Sequence, residues 1–239
     1  MKLAVVVPVY NAARHLPDVV RRIAAARPPG VFRTLIVDDG SSDDTAQVAR
    51  ELALSGEGLE LVVRPQSGGH GAATKTGLET ARTLGADHVA CIPCDGQSSP
   101  ETLPGLVDSL KSRKLDLLQG SRLAGGGALA GGMPLCEFAG RWALGRLERR
   151  VFGLALTDFH SGYLIYGPSA LAQIPFAQLS NSFDFELEVI ASACGRGLAV
   201  GEVPIPGHHG HEITHLDPLH DGLRVLRVLW RYHRGRYRP

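Results

Sequence analysis

Five apolar runs of strand length, each but the last followed at once by a segment with helical spacing, fill the first half of this chain. No other feature narrows its fold so far. LAVVVPV at 3–9 leads into NAARHLPDVVRRIAAA, where Leu16, Val19, Val20 and Ile23 recur at helical spacing. TLIVDDGSSDD leads into DDTAQVARELA, with Ser42 or Asp43 as the expected cap, and LELVVRP leads into GAATKTGLETARTLG, ended by Gly85. DHVACIP precedes SPETLPGLVDSLKSR, capped by Ser99 with Pro100 in the first turn, and LDLLQGSR is the fifth strand. Strands that are apolar throughout and alternate with helices predict a parallel sheet covered on both faces. In such sheets function gathers beyond the carboxyl ends of the strands. Those ends carry Tyr10-Asn11, Asp38-Asp39-Gly40, Asp95-Gly96-Gln97 and Gly120-Ser121-Arg122, so polar and acidic residues converge on one edge.

The second half continues the alternation less regularly. After the glycine-rich LAGGGALAGGMP, expected to be a mobile loop, a helix is expected over about 137–152, carrying Arg141, Arg146, Arg149 and Arg150. LTDFHSGYLIYGP reads as turn plus strand, FDFELEVIASACGRG as a helix, LAVGEVPIP as a strand, and GHHGHEITHLDPLH as a loop before the final helix. At 239 residues, with 44% hydrophobic and 21% charged residues, the chain can bury a sizeable core and has the composition of a soluble globular protein. The formal net charge of +1 singles out no partner, and no nucleic-acid partner is expected. No apolar run approaches the roughly eighteen residues of a membrane span, and MKLAVVVPVYN lacks the features of a signal peptide, so a cytoplasmic protein is expected. Four cysteines are too few and too scattered for a disulfide framework. Cys91 and Cys94 have C-x-x-C spacing, but Cys91 lies inside a predicted strand, where residues three apart point to opposite faces. A small buried core residue is therefore expected at Cys91 rather than half of a redox pair.

Taken in order, VVVPVYN, LIVDDGSSDDT, GHGAATKTGL, CDGQSSPE and GSR make the first half resemble the nucleotide-sugar-binding half of GT-A glycosyltransferases, in particular the large inverting family 2. DFHSGYLIY, FDFELE and GEVPI are similar to the subgroup of dolichyl-phosphate mannose synthases and their bacterial polyprenyl-phosphate relatives. The resemblance implies an α/β GT-A fold, Rossmann-like, with a mostly parallel central sheet, helices on both faces and a single domain. It implies inverting transfer of a sugar from a GDP- or UDP-linked donor to a polyprenyl-phosphate or other acceptor, assisted by a divalent cation, Mg2+ or Mn2+. A cation held by carboxylate and amide oxygens neutralises the diphosphate as it leaves. By the resemblance, Pro8, Tyr10, Asn11, Asp38, Asp39, Gly71, Lys75, Asp95 and Arg122 fall at donor-binding positions; Asp95 and Gln97 at the metal; and Asp95, Asp158 and Arg122 at the reaction centre. Asp38 and Asp39 are placed to accept from a base N–H, or else serve as turn and cap residues. By the same resemblance Asp158 orients the acceptor or the metal, or else stabilises a turn, a strong base being less necessary when the nucleophile is an ionised phosphate. Of Glu186 and Glu188, one is expected to face the site and the other to be solvated.

The chain departs from the family pattern at three positions: Ala12 stands for a glutamate, Pro93 for the first aspartate of the metal motif, and Leu164 for a basic residue. His208, His209, His211, His215 and His220 fall within thirteen residues, and either His209 or His211 replaces the missing metal ligand or the cluster is an idle loop. Arg224, Arg227, Arg231, Arg234 and Arg238 recur at helical steps, which fits either a helix packed on the domain or a basic amphipathic helix at the inner face of a membrane. The arginines of residues 141–150 are placed to bind a lipid phosphate by the same charge logic. The expected organisation is one catalytic domain over 1–222, with a nucleotide-sugar-binding half at 1–122 and an acceptor half with a closing loop at 123–222, followed by a C-terminal basic helix over 223–239. The alternatives are a catalytically silent domain of the same fold that binds nucleotide or a partner, supported by the three departures, and a thiol redox or zinc protein.

Overall fold

The computed structural model describes residues 1–207 and 218–239. One sheet runs through it, in the order β3-β2-β1-β4-β6-β5-β7. Its strands are β1 (Leu3–Val9), β2 (Val31–Asp38), β3 (Leu59–Val63), β4 (His88–Cys91), β5 (Leu117–Ser121), β6 (Leu164–Tyr166) and β7 (Val200–Pro204). β1, β2, β3 and β4 are mutually parallel, and β5 is parallel to β7. β6 runs against both of its neighbours, pairing Leu164 with Cys91 on one side and with Gln119 on the other. The expected mostly parallel α/β sheet is therefore present.

The helices are α1 (Leu16–Ala25), α2 (Thr45–Ser55), α3 (His70–Thr83), α4 (Leu103–Ser112), α5 (Gly127–Ala130), α6 (Leu135–Phe152), α7 (Pro168–Gln173), α8 (Phe185–Gly195) and α9 (Pro218–His233). Alternate residues of each strand feed two cores. Leu3, Val5 and Val7 join Leu16, Val20, Ile23, Leu103 and Leu106 on one face, while Ala4 and Val6 join Leu78, Phe159, Phe185 and Val228 on the other. α3 lies so close to the sheet that a Cβ on Gly77 would sit 2.2 Å from Val6 Cγ1.

Several local expectations shift. α1 starts at Leu16 rather than near Asn11, because Asn11 takes a left-handed turn (φ 48°) and the chain winds once before the helix. Neither expected residue is the cap of α2: the cap position is Asp44, and Asp43 instead accepts from the Thr45 amide at 3.0 Å. Ser99 makes no side-chain cap; its hydroxyl donates to the Pro206 carbonyl, and a single 3-10 turn precedes α4. The glycine-rich stretch forms a 3-10 turn and α5 rather than an open loop. Without side chains at Gly127 and Gly131 it packs backbone to backbone on residues 205–207, where any Cβ would come within 2.5 Å of a carbonyl oxygen.

Cys91 and Cys94 belong to opposite cores and share no disulfide, so the C-x-x-C spacing does not make a thiol pair. Burial pushes the Cys91 thiol well above its ordinary pKa. Leu164 is fully buried between β4 and β5, where a cation would have no water, and Ala12 is buried beneath Thr45, whose hydroxyl takes its amide. The last helix packs on the domain through Val225, Val228 and Leu229.

Candidate active site

Because β6 is antiparallel, the segment entering it lies at the same sheet edge as the segments leaving β1, β2, β4 and β5. The loop 157–163 thus stands between the segments that carry Asp95 and Arg122, at the same edge of the sheet as Asn11 and Asp39. The ends of β1 and β2 are knitted together. Asp38 Oδ1 accepts from the amide and hydroxyl of Ser41, Ser41 Oγ accepts from the Asn11 amide, and Asn11 Oδ1 accepts from the Ser42 amide at 2.9 Å. Pro8 is buried in β1, while Tyr10 stands exposed at the edge. Asp39 is 2% exposed, and its carboxylate holds the next loop: Arg64 pairs with it, and Ser67 Oγ and the amides of Gly68 and Gly69 donate to it at 2.8–3.2 Å. This pins the entry to α3, where Gly71 approaches the Ser180 carbonyl so closely that a Cβ would lie 2.5 Å from it. Lys75, one turn into α3, donates to the Leu179 carbonyl at 2.9 Å, and burial lowers its pKa.

β4 ends in a compact turn. Asp95 Oδ1 accepts from the amides of Gln97 (2.9 Å) and Ser98 (3.3 Å), while Gly96 takes the left-handed φ of 71° that the turn needs. Gln97 Oε1 accepts from Arg122 at the end of β5. Asp95, Gln97 and Arg122, expected together, are brought together. Pro93 packs on Gly162, where a Cβ would lie 2.7 Å from the proline ring.

The loop before β6 is pinned at several points. Gln119 donates to the Asp158 carbonyl, Ser161 donates to the Gly120 carbonyl at 2.6 Å, and the Thr157 amide bonds the Glu202 carboxylate at 2.8 and 2.9 Å. Asp158 is buried, and its Oδ1 accepts from the His160 amide at 2.9 Å. On the other side of the loop, His160 Nε2 lies 2.7 Å from Oε1 of Glu148, a carboxylate of α6 with no exposed surface. Burial works against a charge on His160, but Glu148, then Asp158, outweigh it and raise the pKa; Arg141 opposes them. Beside this loop a cavity of about 220 Å³ is lined by Leu123, Phe138, Trp142, Arg146, Arg149 and Thr157, among others.

A second histidine–carboxylate pair closes the other flank. His70 Nε2 lies 2.6 Å from Glu186 Oε1, and Phe183 stacks on its ring. Burial opposes a charge on His70, yet Glu186, with Asp95 and Asp39, raises its pKa. Glu188 accepts from the Ser180 amide, the Tyr237 hydroxyl and Arg231. Both glutamates are therefore buried, correcting the expectation that one is solvated: α8 is covered on nearly every face, so each finds a partner indoors. Neither histidine pair was anticipated. The available signal was the lone Glu148 among Arg146, Arg149 and Arg150. His208, His209, His211 and His215 lie outside the described residues, which stop at Gly207 and resume at Pro218.

Among the described residues no cluster of three or more His, Cys, Asp or Glu forms a metal cage. The site offers a cation one carboxylate, Asp95, beside the amide of Gln97. That fits an ion that arrives with a diphosphate and takes most of its ligands from phosphate and water.

The family model described as Glycosyl transferase family 2 matches residues 4–172. Similar curated proteins include the polyprenol monophosphomannose synthase of Mycolicibacterium smegmatis, 30% identical over 203 residues (84% of this chain, 75% of the relative). The undecaprenyl-phosphate mannosyltransferase of Micrococcus luteus is 30% identical over 206 residues (86% and 83%). Among solved structures, glucosyl-3-phosphoglycerate synthase of Mycobacterium tuberculosis in complex with Mn2+, UDP and phosphoglyceric acid superimposes with a TM-score of 0.70 at 21% identity, covering 97% of this chain and 78% of that one. At that identity the likeness concerns the fold.

Proposed function

Since the chain belongs to glycosyl transferase family 2, we propose that it moves a sugar, with inversion, from a nucleotide-diphospho-sugar to a polyprenyl phosphate. The observation that carries this reading is the convergence of Asp95, Gln97 and Arg122 with the Asp158 loop at one sheet edge. Curated relatives that act on polyprenyl phosphates match over most of their own length. Asn11 and Asp38 shape the floor for the nucleoside, while Asp39 serves it indirectly by fixing the 64–69 loop. Arg122 places a permanent positive charge where the diphosphate departs. A divalent cation, when bound at Asp95 and Gln97, supplies further neutralisation of that leaving group. Asp158 and its loop orient the acceptor, whose phosphate is already ionised at neutral pH and needs no strong base.

The acceptor's tail requires a membrane nearby. Leu223, Leu226 and Trp230 stand exposed on one face of α9 with Arg227 and Arg234, a pattern suited to an anionic bilayer surface. Among the described residues no helix is long and apolar enough to cross a membrane. The test is transfer from UDP- and GDP-sugars to a short polyprenyl phosphate, with Mg2+, Mn2+ or a chelator, and the product anomer read by NMR. Product of inverted configuration, lost in Asp95→Asn, is expected. Nucleotide binding without turnover on any donor would instead favour a silent domain. Flotation with anionic vesicles, weakened in Trp230→Glu, tests the membrane face.

A further inference from the structure

The mechanism above leaves unused a carboxylate that is buried beyond the reach of water. Glu148 has one oxygen on His160 and the other, Oε2, without a hydrogen-bond partner. A lone buried carboxylate is expensive unless a cation faces it. Three charged groups face the His160 imidazole: Glu148 and Arg141 from α6, and Asp158 from its own loop. Arg141 is itself paired with Glu137 at 3.0 Å. The buried Glu148 therefore favours the charged form of the imidazole, against the effect of burial. The contact exists because Gly145 lets the loop lie against α6; a Cβ there would sit 2.9 Å from the Thr157 carbonyl oxygen.

The ring still reaches solvent, its side chain being 26% exposed, and Glu148 engages it through Nε2 rather than Nδ1. The same helix and loop line the apolar cavity, where Arg146 stacks on Trp142 and Arg149 donates to the Leu156 carbonyl. Among the described residues neither arginine has a carboxylate partner. Cations beside apolar walls suit one kind of ligand, an anionic group on a hydrocarbon chain.

We propose that His160, held and oriented by the buried Glu148, is the anchor for the acceptor's phosphate, with Glu148 as its positioning residue. The inference rests on the acceptor assigned above. The steady-state test uses farnesyl phosphate with His160→Gln, His160→Arg and Glu148→Gln. A charged hydrogen bond lost in His160→Gln raises the acceptor KM about ten- to a hundredfold, with kcat and donor KM within about twofold. His160→Arg restores most of the affinity, and Glu148→Gln falls between. An unchanged acceptor KM in His160→Gln overturns the proposal. So does a loss confined to kcat that His160→Arg fails to restore, since that marks proton abstraction. If the wild-type chain transfers nothing to farnesyl phosphate, the functional reading fails and the anchor is judged by NMR alone. The His160 ring signal then moves with farnesyl phosphate more than with inorganic phosphate and not with farnesol. A signal unmoved by both phosphates refutes the anchor; equal shifts with both assign the site to free phosphate rather than to a lipid headgroup.

Discussion

Replacing Glu188 with alanine tests whether the last helix is part of the folded body. Glu188 is 2% exposed and accepts from the Ser180 amide at 2.6 Å, from the Tyr237 hydroxyl at 2.5 Å and from Arg231 at 3.1 Å. It thereby ties α8 to both α9 and the chain end. Truncation strands the buried Tyr237 hydroxyl and the half-buried Ser180 amide, at about 1–3 kcal/mol each. Arg231, with a third of its side chain exposed, turns to water and adds little. A loss of about 3 kcal/mol follows, and for a chain of this size it lowers Tm by roughly 6–12 °C. Thermal and urea unfolding of the wild type, Glu188→Ala and Arg231→Met measure it, the last expected to lose less than about 1 kcal/mol. A Tm for Glu188→Ala within about 2 °C of wild type would falsify the network as a fastening.

Three further outcomes follow from the same structure. Pro93→Asp, which puts a second carboxylate beside Asp95, should lower the Mn2+ concentration for half-maximal nucleotide binding by about tenfold; an unchanged titration would separate position 93 from the cation. Gly77→Ala drives a methyl into Val6 and should destabilise by about 1–3 kcal/mol without changing acceptor KM; a neutral urea midpoint would mean the helix stands further off. Burial raises the pKa of the Tyr163, Tyr166 and Tyr237 phenols. Above pH about 10 the unfolded chain thus binds fewer protons than the folded one, so stability present below that pH falls as pH rises. Urea midpoints that stay level from pH 9 to 11.5 would contradict this.

The sheet edge was legible because local sequence decides it: each strand is a short apolar run, and the polar residues that end it stay at the edge wherever the strand is ordered. Asp95, Gln97 and Arg122 could therefore be placed together before any geometry was known. What escaped depends on pairing between distant segments. That Glu188 is buried follows from the arrival of Arg231 and Tyr237 from the far end of the chain, and nothing within FDFELE announces it. His70 meets Glu186 across 116 positions, and His160 meets Glu148 only because a glycine brings the loop onto α6. The arginine periodicity of the last helix was visible, but the arginines divide: Arg224 and Arg231 turn inward to Ser182 and Glu188, while Arg227 and Arg234 stand outside.

The strand order has a consequence for synthesis. Among the described residues β5 pairs with β6 and β7, so within the sheet it is joined to the first four strands through the three residues of β6. As the chain leaves the ribosome, at roughly 5–20 residues per second, β1 to β4 can pair on emergence while β5 waits seconds for its partner. Until Leu164–Tyr166 are made, β4 presents an open edge and no strand of the sheet joins β5 to it. The site is therefore completed late, by a strand inserted from its far side, and a fragment ending at residue 122 would carry most of its residues without the strand that unites them.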